Sequence, residues 1–350
     1  MAVEKYSKLR NLSRPSLKRL LPLSFPLSMY IETTNRCNSR CRYCPISFKD
    51  YSKISGGFST MSLFKFNKIC HDIHAGGKLK VLRFYLMGEP LLNPDLPEMI
   101  KIATKMKLAE RTELTTNGLL LNKGKSLAII NSGLDYLRIS ISSVYQRRLE
   151  YIIQSKAKVG QIYKNIEQFR QMRDAAGCTK PFLYIKMLDS LNDLENSKFL
   201  RMYQVLADEA VIEKPMNWDS YNNHDLLQAT YKEKSLPNPE ELYVYPKSVC
   251  PFPFYTLVVN VNGDVTVCCV DWNKGTKVGN VFKSPLKSIW EGANLRNLRR
   301  MHILRKRTLN HSCRNCSFLF TSPDNLDCMS DAKIKAIIGK DKPRINRKIE

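Results

Sequence analysis

The sequence predicts an α/β protein with a smaller α+β unit after it, and three observations predict this. Short β-rich runs alternate with amphipathic helical patterns from about residue 28 to 215. A hairpin signal and a helical pattern follow from about residue 249, and cysteines gather in two places, one in each part. With 350 residues and 43% hydrophobic content, the chain can bury a large core and form about two domains.

Taken in order, the predicted strands are SMYIETT (28–34), VLRFYLM (81–87), TELTTN (112–117), DYLRISIS (135–142), PFLYIKML (181–188) and DEAVIEKP (208–215). The helical patterns between them include SLFKFNKICHDIHA, DLPEMIKIATKMK and IYKNIEQFRQMRDAA. The last of these sets Ile162, Ile166, Phe169 and Met172 on one face. Strands alternating with helices imply a parallel sheet with right-handed crossovers and a ligand site at the carboxyl ends of the strands. After Pro215 the chain turns polar and irregular. TLVVNV and DVTVCCV then flank Asn-Gly, a hairpin signal, and SPLKSIWEGANLRNLRRMHI reads as one helix opened by Ser-Pro. The expected organisation is a basic extension (1–27), the α/β core (28–235), the smaller unit (240–328) and a basic tail (329–350).

Lys and Arg number 56 against 32 Asp and Glu, a formal charge of +24. Much of the excess sits at the ends, in Lys5, Lys8, Arg10, Arg14, Lys18 and Arg19 and in Lys333, Lys335, Lys340, Lys342, Arg344, Arg347 and Lys348. Such ends act as solubilising tails or meet an anionic partner, such as a phosphorylated substrate or an anionic membrane surface. Aromatic residues are hardly interleaved with the basic ones, which argues against nucleic acid. No apolar run is long enough to span a bilayer, and the N-terminus lacks the apolar region of a signal peptide. A cytoplasmic location is the default, and there eleven cysteines stay reduced and serve as ligands or catalysts before disulfides.

The stretch TTNRCNSRCRYCPIS holds Cys37, Cys41 and Cys44 in a C-x3-C-x2-C spacing, just past the first predicted strand. Three thiolates are one short of a closed zinc or iron–sulfur site. A fourth ligand comes from elsewhere, or a position on the metal centre stays open. Arg36, Arg40 and Arg42 are placed to offset the negative charge.

CNSRCRYC, with Tyr43 as the aromatic, resembles the cysteine signature of the radical S-adenosylmethionine (radical SAM) superfamily. The resemblance implies a partial (β/α)6 TIM-like barrel and a [4Fe–4S] cluster on the three cysteines. It also implies S-adenosylmethionine on the open iron and a 5′-deoxyadenosyl radical that takes hydrogen from the substrate. A reduced flavodoxin or ferredoxin-type donor would supply the electron. Gly88-Glu89-Pro90 is similar to the family's motif at the methionine amino group, where a carboxylate and exposed carbonyls suit an ammonium. Thr116, Asn117 and Gly118 match the TNG frequent after the third strand, and Ser140 and Ser142 resemble residues at the ribose or carboxylate. Lys186 is a candidate partner for the SAM carboxylate or for an anionic substrate group.

Cys250, Cys268, Cys313 and Cys316 form a second set able to close a site, with a zinc ribbon as the plain alternative. The run from Val249 to CRNC resembles the SPASM domain in its shortened "twitch" form, which implies one auxiliary [4Fe–4S] cluster with four cysteine ligands. The Gly263-x4-Cys268 spacing selects Cys268 over Cys269, and Cys70, Cys178 and Cys328 read as buried thiols. The two-cluster pattern implies oxidation or epimerisation of a sugar, aminoglycoside or nucleotide-sugar, with the auxiliary cluster as electron acceptor. Peptide or protein maturation is the alternative, and a basic metal-stabilised protein that binds or modifies RNA is a third reading behind both. Glu213, Tyr221 and His224 are candidate bases.

Overall fold

The computed structural model describes residues 15–213 and 247–339. Nine strands form one sheet: β1 (Ser28–Ile31), β2 (Leu79–Arg83), β3 (Ala109–Thr116), β4 (Tyr136–Ile141), β5 (Phe182–Leu188), β6 (Glu209–Glu213), β7 (Thr256–Val259), β8 (Asp264–Thr266) and β9 (Gly279–Asn280). Their order is β6-β5-β4-β3-β2-β1-β7-β8-β9. Strands β1 to β6 pair in parallel, each with its chain neighbour, and helices occupy the crossovers. Among the described residues β6 pairs with β5 alone, so the sheet they form is open and not a closed barrel.

Alternation along each strand separates two environments. Leu82, Leu114, Leu137, Ile139, Leu183, Ile185 and Met187 are buried in the main core with the helix Leu63–Gly76 and the helix Val159–Ala175. The alternate positions carry Arg83, Glu113, Arg138, Tyr184, Lys186 and Glu213, joined to each other across the opposite face. Ile162, Ile166 and Phe169 are buried on the predicted face of their helix, with Met172 packed against it.

The smaller unit does not stand apart. Its first strand, β7, pairs in parallel with β1 in the register Ser28 with Thr256 through Ile31 with Val259, so the hairpin extends the core sheet. The predicted single helix after it is two, Leu286–Glu291 and Ala293–Ile303, broken at Gly292. Gly292 is extended there, with a Cβ position 2.8 Å from the Ser288 carbonyl. The first of the pair begins with Pro285 as its N-cap, one residue later than Ser-Pro predicts.

The described parts of both basic ends are structured. Leu17, Leu21, Val249, Phe254, Ile303, Leu326 and Met329 make a small core, with Ile334 and Ile337 packed on it. The Leu17 N–H donates to Asp324 at 3.1 Å, and the Lys333 ammonium donates to the Lys18 carbonyl. Lys18, Arg19, Lys333 and Lys335 therefore sit on docked segments, while the other basic residues of the two ends lie outside the described residues. No described helix is long and apolar enough to cross a membrane.

Glu32 marks the joint between the two parts. It is buried, and its Oε2 accepts the Val261 N–H at 3.0 Å, tying the end of β1 to the hairpin turn. Burial pushes its carboxyl up to about 7, against the opposing pull of the Val261 N–H and the Lys274 ammonium. The folded chain then keeps a proton between about pH 4.5 and 7 that the unfolded chain has lost. Stability is full below that window and falls as pH rises through it, by about 3 kcal/mol from this group. Urea unfolding at pH 5 and pH 8 should show a smaller fall for Glu32→Gln than for the unaltered chain. An equal fall would place the pH dependence in other groups.

Candidate functional site: two cysteine centres on one sheet

Cys37, Cys41 and Cys44 lie on the loop after β1, at the carboxyl edge of the parallel strands. The loop is pinned from two sides. The N–H groups of Arg40 and Arg42 donate to the carbonyls of Ile153 and Ile152, at 3.0 and 2.9 Å, at the end of the helix Gln146–Ile153. On the other side, the Glu89 N–H donates to the Arg36 carbonyl at 2.8 Å.

The three arginines also brace the loop. Arg36 donates to the Phe58 carbonyl, and Arg42 donates to the Tyr151 carbonyl at 2.8 Å with its guanidinium over the Tyr151 ring. Arg40 donates to the Ile46 carbonyl, and its charge still pulls the Cys37 thiol down slightly. Burial wins: it raises Cys37 to about 11 and Cys44 to about 12, and raises Cys41 further, with Cys44 and Cys37 adding repulsion. A bound metal centre would invert this preference, since its positive charge favours the thiolate.

Gly88, Glu89 and Pro90 follow β2 and pack directly under this loop. Gly88 has φ +78°, and a Cβ there would lie 2.5 Å from the Thr34 carbonyl and 2.7 Å from that of Arg36. Pro90 opens the short turn Pro90–Leu92. Glu89 is 2% exposed, and its carboxylate accepts from the Leu91 N–H (3.1 Å), the Thr116 hydroxyl (2.7 Å) and the Asn117 N–H (2.8 Å). The Glu89 carboxylate is thus held by three donors of the protein itself. Asn117 in turn donates from Nδ2 to Asn38 Oδ1 at 2.7 Å, next to Cys37. GEP and TNG are thus brought together with the cysteine loop.

Tyr43 and Ser142 share a hydrogen bond of 2.7 Å, linking the loop to the end of β4. Ser140 lies on β4 opposite Lys186 on β5. Lys186 pairs with Glu213 Oε2 at 2.7 Å, and Glu213 Oε1 also accepts from Arg138 (3.0 Å) and the Tyr184 hydroxyl (3.1 Å). Glu213 thus joins Lys186, Arg138 and Tyr184 on the inner wall. Tyr221 and His224 lie outside the described residues.

The second set converges on one cavity. Cys250, Cys268, Cys313 and Cys316 all line it, with Phe252, Val267, Val270, Phe318 and Leu319 as its apolar wall. Burial raises Cys250 to about 12 and lifts Cys313 and Cys316 as well. Cys269 is turned to Tyr30 and Arg83 instead, and hydrogen bonds from Cys268 and Tyr30 hold its thiol low. Among the described residues, no group of His, Cys, Asp or Glu is drawn in around a single point as for one metal ion. The four thiols line one cavity, and four cysteines are a donor set for a structural zinc or a four-iron cluster. Sequence reasoning missed several further lining residues, among them His302 and Arg307. The pattern LRRMHILRKR carries no signal for them, since only the packing of the helix Ala293–Ile303 brings His302 to the cavity. Of the cysteines read as buried thiols, Cys70 is buried, whereas Cys178 and Cys328 are exposed.

Comparison with known proteins covers both centres. The radical SAM superfamily model matches residues 31–228, more than half the chain, and an iron–sulfur cluster-binding domain, SPASM, matches residues 250–317. Over 152 residues the chain is 29% identical to the GTP 3',8-cyclase of Aquifex aeolicus, covering 43% of this chain and 46% of that one. It is 28% identical over 127 residues to the PqqA peptide cyclase of Gluconobacter oxydans, covering 36% and 33%. The chain thus spans less than half the length of these curated relatives. Among solved structures, BtrN in complex with AdoMet and 2-DOIA superposes with a TM-score of 0.52 at 17% identity, covering 83% of this chain and 93% of that one. For anSMEcpe with AdoMet and the Kp18Cys peptide the TM-score is 0.55 at 12% identity, covering 89% and 96%. These two share the fold.

Gly88→Ala tests the packing under the loop. The clash with two carbonyls and the positive φ should cost about 1–3 kcal/mol. Iron bound per chain after anaerobic reconstitution should fall. Unaltered iron and stability would mean that the loop does not rely on this close approach.

Proposed function

This chain belongs to the radical SAM superfamily, and we propose that it oxidises an H–C–OH centre of a small sugar-type molecule by two one-electron steps. The observation that carries this reading is the contrast between its centres, three cysteines on one loop against four lining one cavity. With both clusters and S-adenosylmethionine bound, the chemistry supplied is a 5′-deoxyadenosyl radical at the first centre and one-electron acceptance at the second. Removal of one hydrogen atom, then one electron and one proton, turns H–C–OH into C=O.

In this reading Cys37, Cys41 and Cys44 hold the cluster that binds S-adenosylmethionine, and Cys250, Cys268, Cys313 and Cys316 hold the auxiliary one. The carbonyls of Gly88 and Glu89 receive the methionine ammonium, and Pro90 fixes the turn that presents them. Thr116 and Asn117 hold Glu89 in place, and Tyr43, Ser140 and Ser142 lie along the rim where the nucleoside would rest. Lys186, already paired with Glu213, belongs to a charged inner wall with Arg83, Arg111, Glu113 and Arg138. That wall suits a polar substrate bearing hydroxyl or phosphate groups and disfavours an apolar one. A reduced flavodoxin or ferredoxin-type protein would be the electron donor. A second reading, modification of a peptide, is supported by the match to PqqA peptide cyclase.

Anaerobic reconstitution should load about eight irons per chain and no zinc, two four-iron clusters. Cys37→Ala, Cys41→Ala or Cys44→Ala should abolish 5′-deoxyadenosine release. Cys313→Ala or Cys316→Ala should leave S-adenosylmethionine cleavage in place and remove the oxidised product. Release stimulated by nucleotide-sugars or aminoglycosides supports the proposal, and release stimulated by peptides alone replaces it with the second reading. About four irons with one zinc would remove the electron acceptor.

A further inference from the structure

His302 stands in the wall of the four-cysteine cavity, near the end of the helix Ala293–Ile303. It has 0% exposure. Its Nε2 lies 3.8 Å from Cys313 Sγ, while its Nδ1 is buried with no hydrogen-bond partner. A buried imidazole with one nitrogen unsatisfied is a cost that an apolar residue of similar size would avoid. The neighbouring cation is spent elsewhere, since Arg307 donates to the carbonyls of Cys313 and Cys316 and thereby shapes the C-x2-C turn.

We infer that His302 is a positioning residue that donates its Nε2–H to the Cys313 sulfur and raises the reduction potential of the group held there. As a free thiol, Cys313 can give or receive in this contact. As a metal-bound thiolate it has no proton and can only accept, so the imidazole must carry its proton on Nε2. A hydrogen bond to a ligating sulfur draws off negative charge and stabilises the reduced state more than the oxidised one. That is the direction an electron acceptor needs. The inference rests on the proposed auxiliary cluster and deepens that reading, because it assigns the tuning of that cluster to a named side chain.

The test uses the reconstituted full chain with Cys37, Cys41 and Cys44 all changed to Ala, so that only the second centre is read. In a redox titration followed by electron paramagnetic resonance, His302→Phe should shift the midpoint to lower potential. His302→Gln, which keeps an N–H, should recover part of the shift. Pulsed resonance on the reduced protein labelled with ¹⁵N-histidine should show a weak nitrogen coupling that His302→Phe abolishes. A strong coupling typical of direct ligation overturns the inference, as does an unchanged potential with no coupling. Should His302→Phe fail to fold, the labelled parent and His302→Gln still decide between these outcomes. If the parent with those three cysteines changed binds no iron, the auxiliary-cluster reading itself fails, and the iron assay separates that from a failure of the histidine assignment.

Discussion

A buried carboxylate must be met by donors, and Glu89 is where that requirement organises the first centre. Its two oxygens draw the Leu91 N–H from its own turn and the Thr116 hydroxyl and Asn117 N–H from the end of β3. Asn117 is thereby set to reach Asn38 beside Cys37. Gly88 completes the arrangement by letting two carbonyls of the cysteine loop come closer than any side chain would permit. The loops after three successive strands thus share one polar joint. The loop that bears the thiols gains order from these hydrogen bonds as well as from the apolar cluster around Ile46.

The second constraint is the parallel pairing of β1 with β7. The strand that leads into the first cysteine loop is the same strand that receives the hairpin of the second unit. The two thiol centres are consequently carried by one sheet and do not depend on a linker for their separation. Trp272, four residues beyond Cys268, packs against Phe48 and Tyr51 in the apolar cluster beside Cys37 and Cys44. Contact between the two centres' surroundings is therefore continuous, through the sheet and through this aromatic group.

The inner wall shows how charge is accommodated inside the sheet. Arg83 and Arg111 meet Glu113, and Arg138 and Lys186 meet Glu213, each carboxylate shared by two cations. The Arg138 guanidinium also lies over the Tyr184 ring. A wall built this way remains polar without leaving a carboxylate unpaired. It explains why Glu213, attractive in isolation as a base, is occupied in the fold.

Much was legible in the sequence because it rests on local rules. Period-two alternation marked β1 to β6 within a few residues, Asn-Gly marked the hairpin, and cysteine spacing marked both centres. The break at Gly292 was missed because a glycine is tolerated within a helical pattern, and only the neighbouring Ser288 carbonyl decides against continuity there. The docking of residues 17–21 against 326–338 was hidden because the basic residues dominate the composition while a few spaced leucines and isoleucines do the packing. By itself, then, the sequence determined the element types, the thiol sets and the parallel core, since each follows from near neighbours in the chain. Tertiary structure alone decided that Glu89 faces inward, that Lys186 pairs with Glu213, that β7 joins β1 and that His302 reaches Cys313. Those outcomes depend on which distant groups can satisfy a buried polar atom, and no spacing along the chain records that.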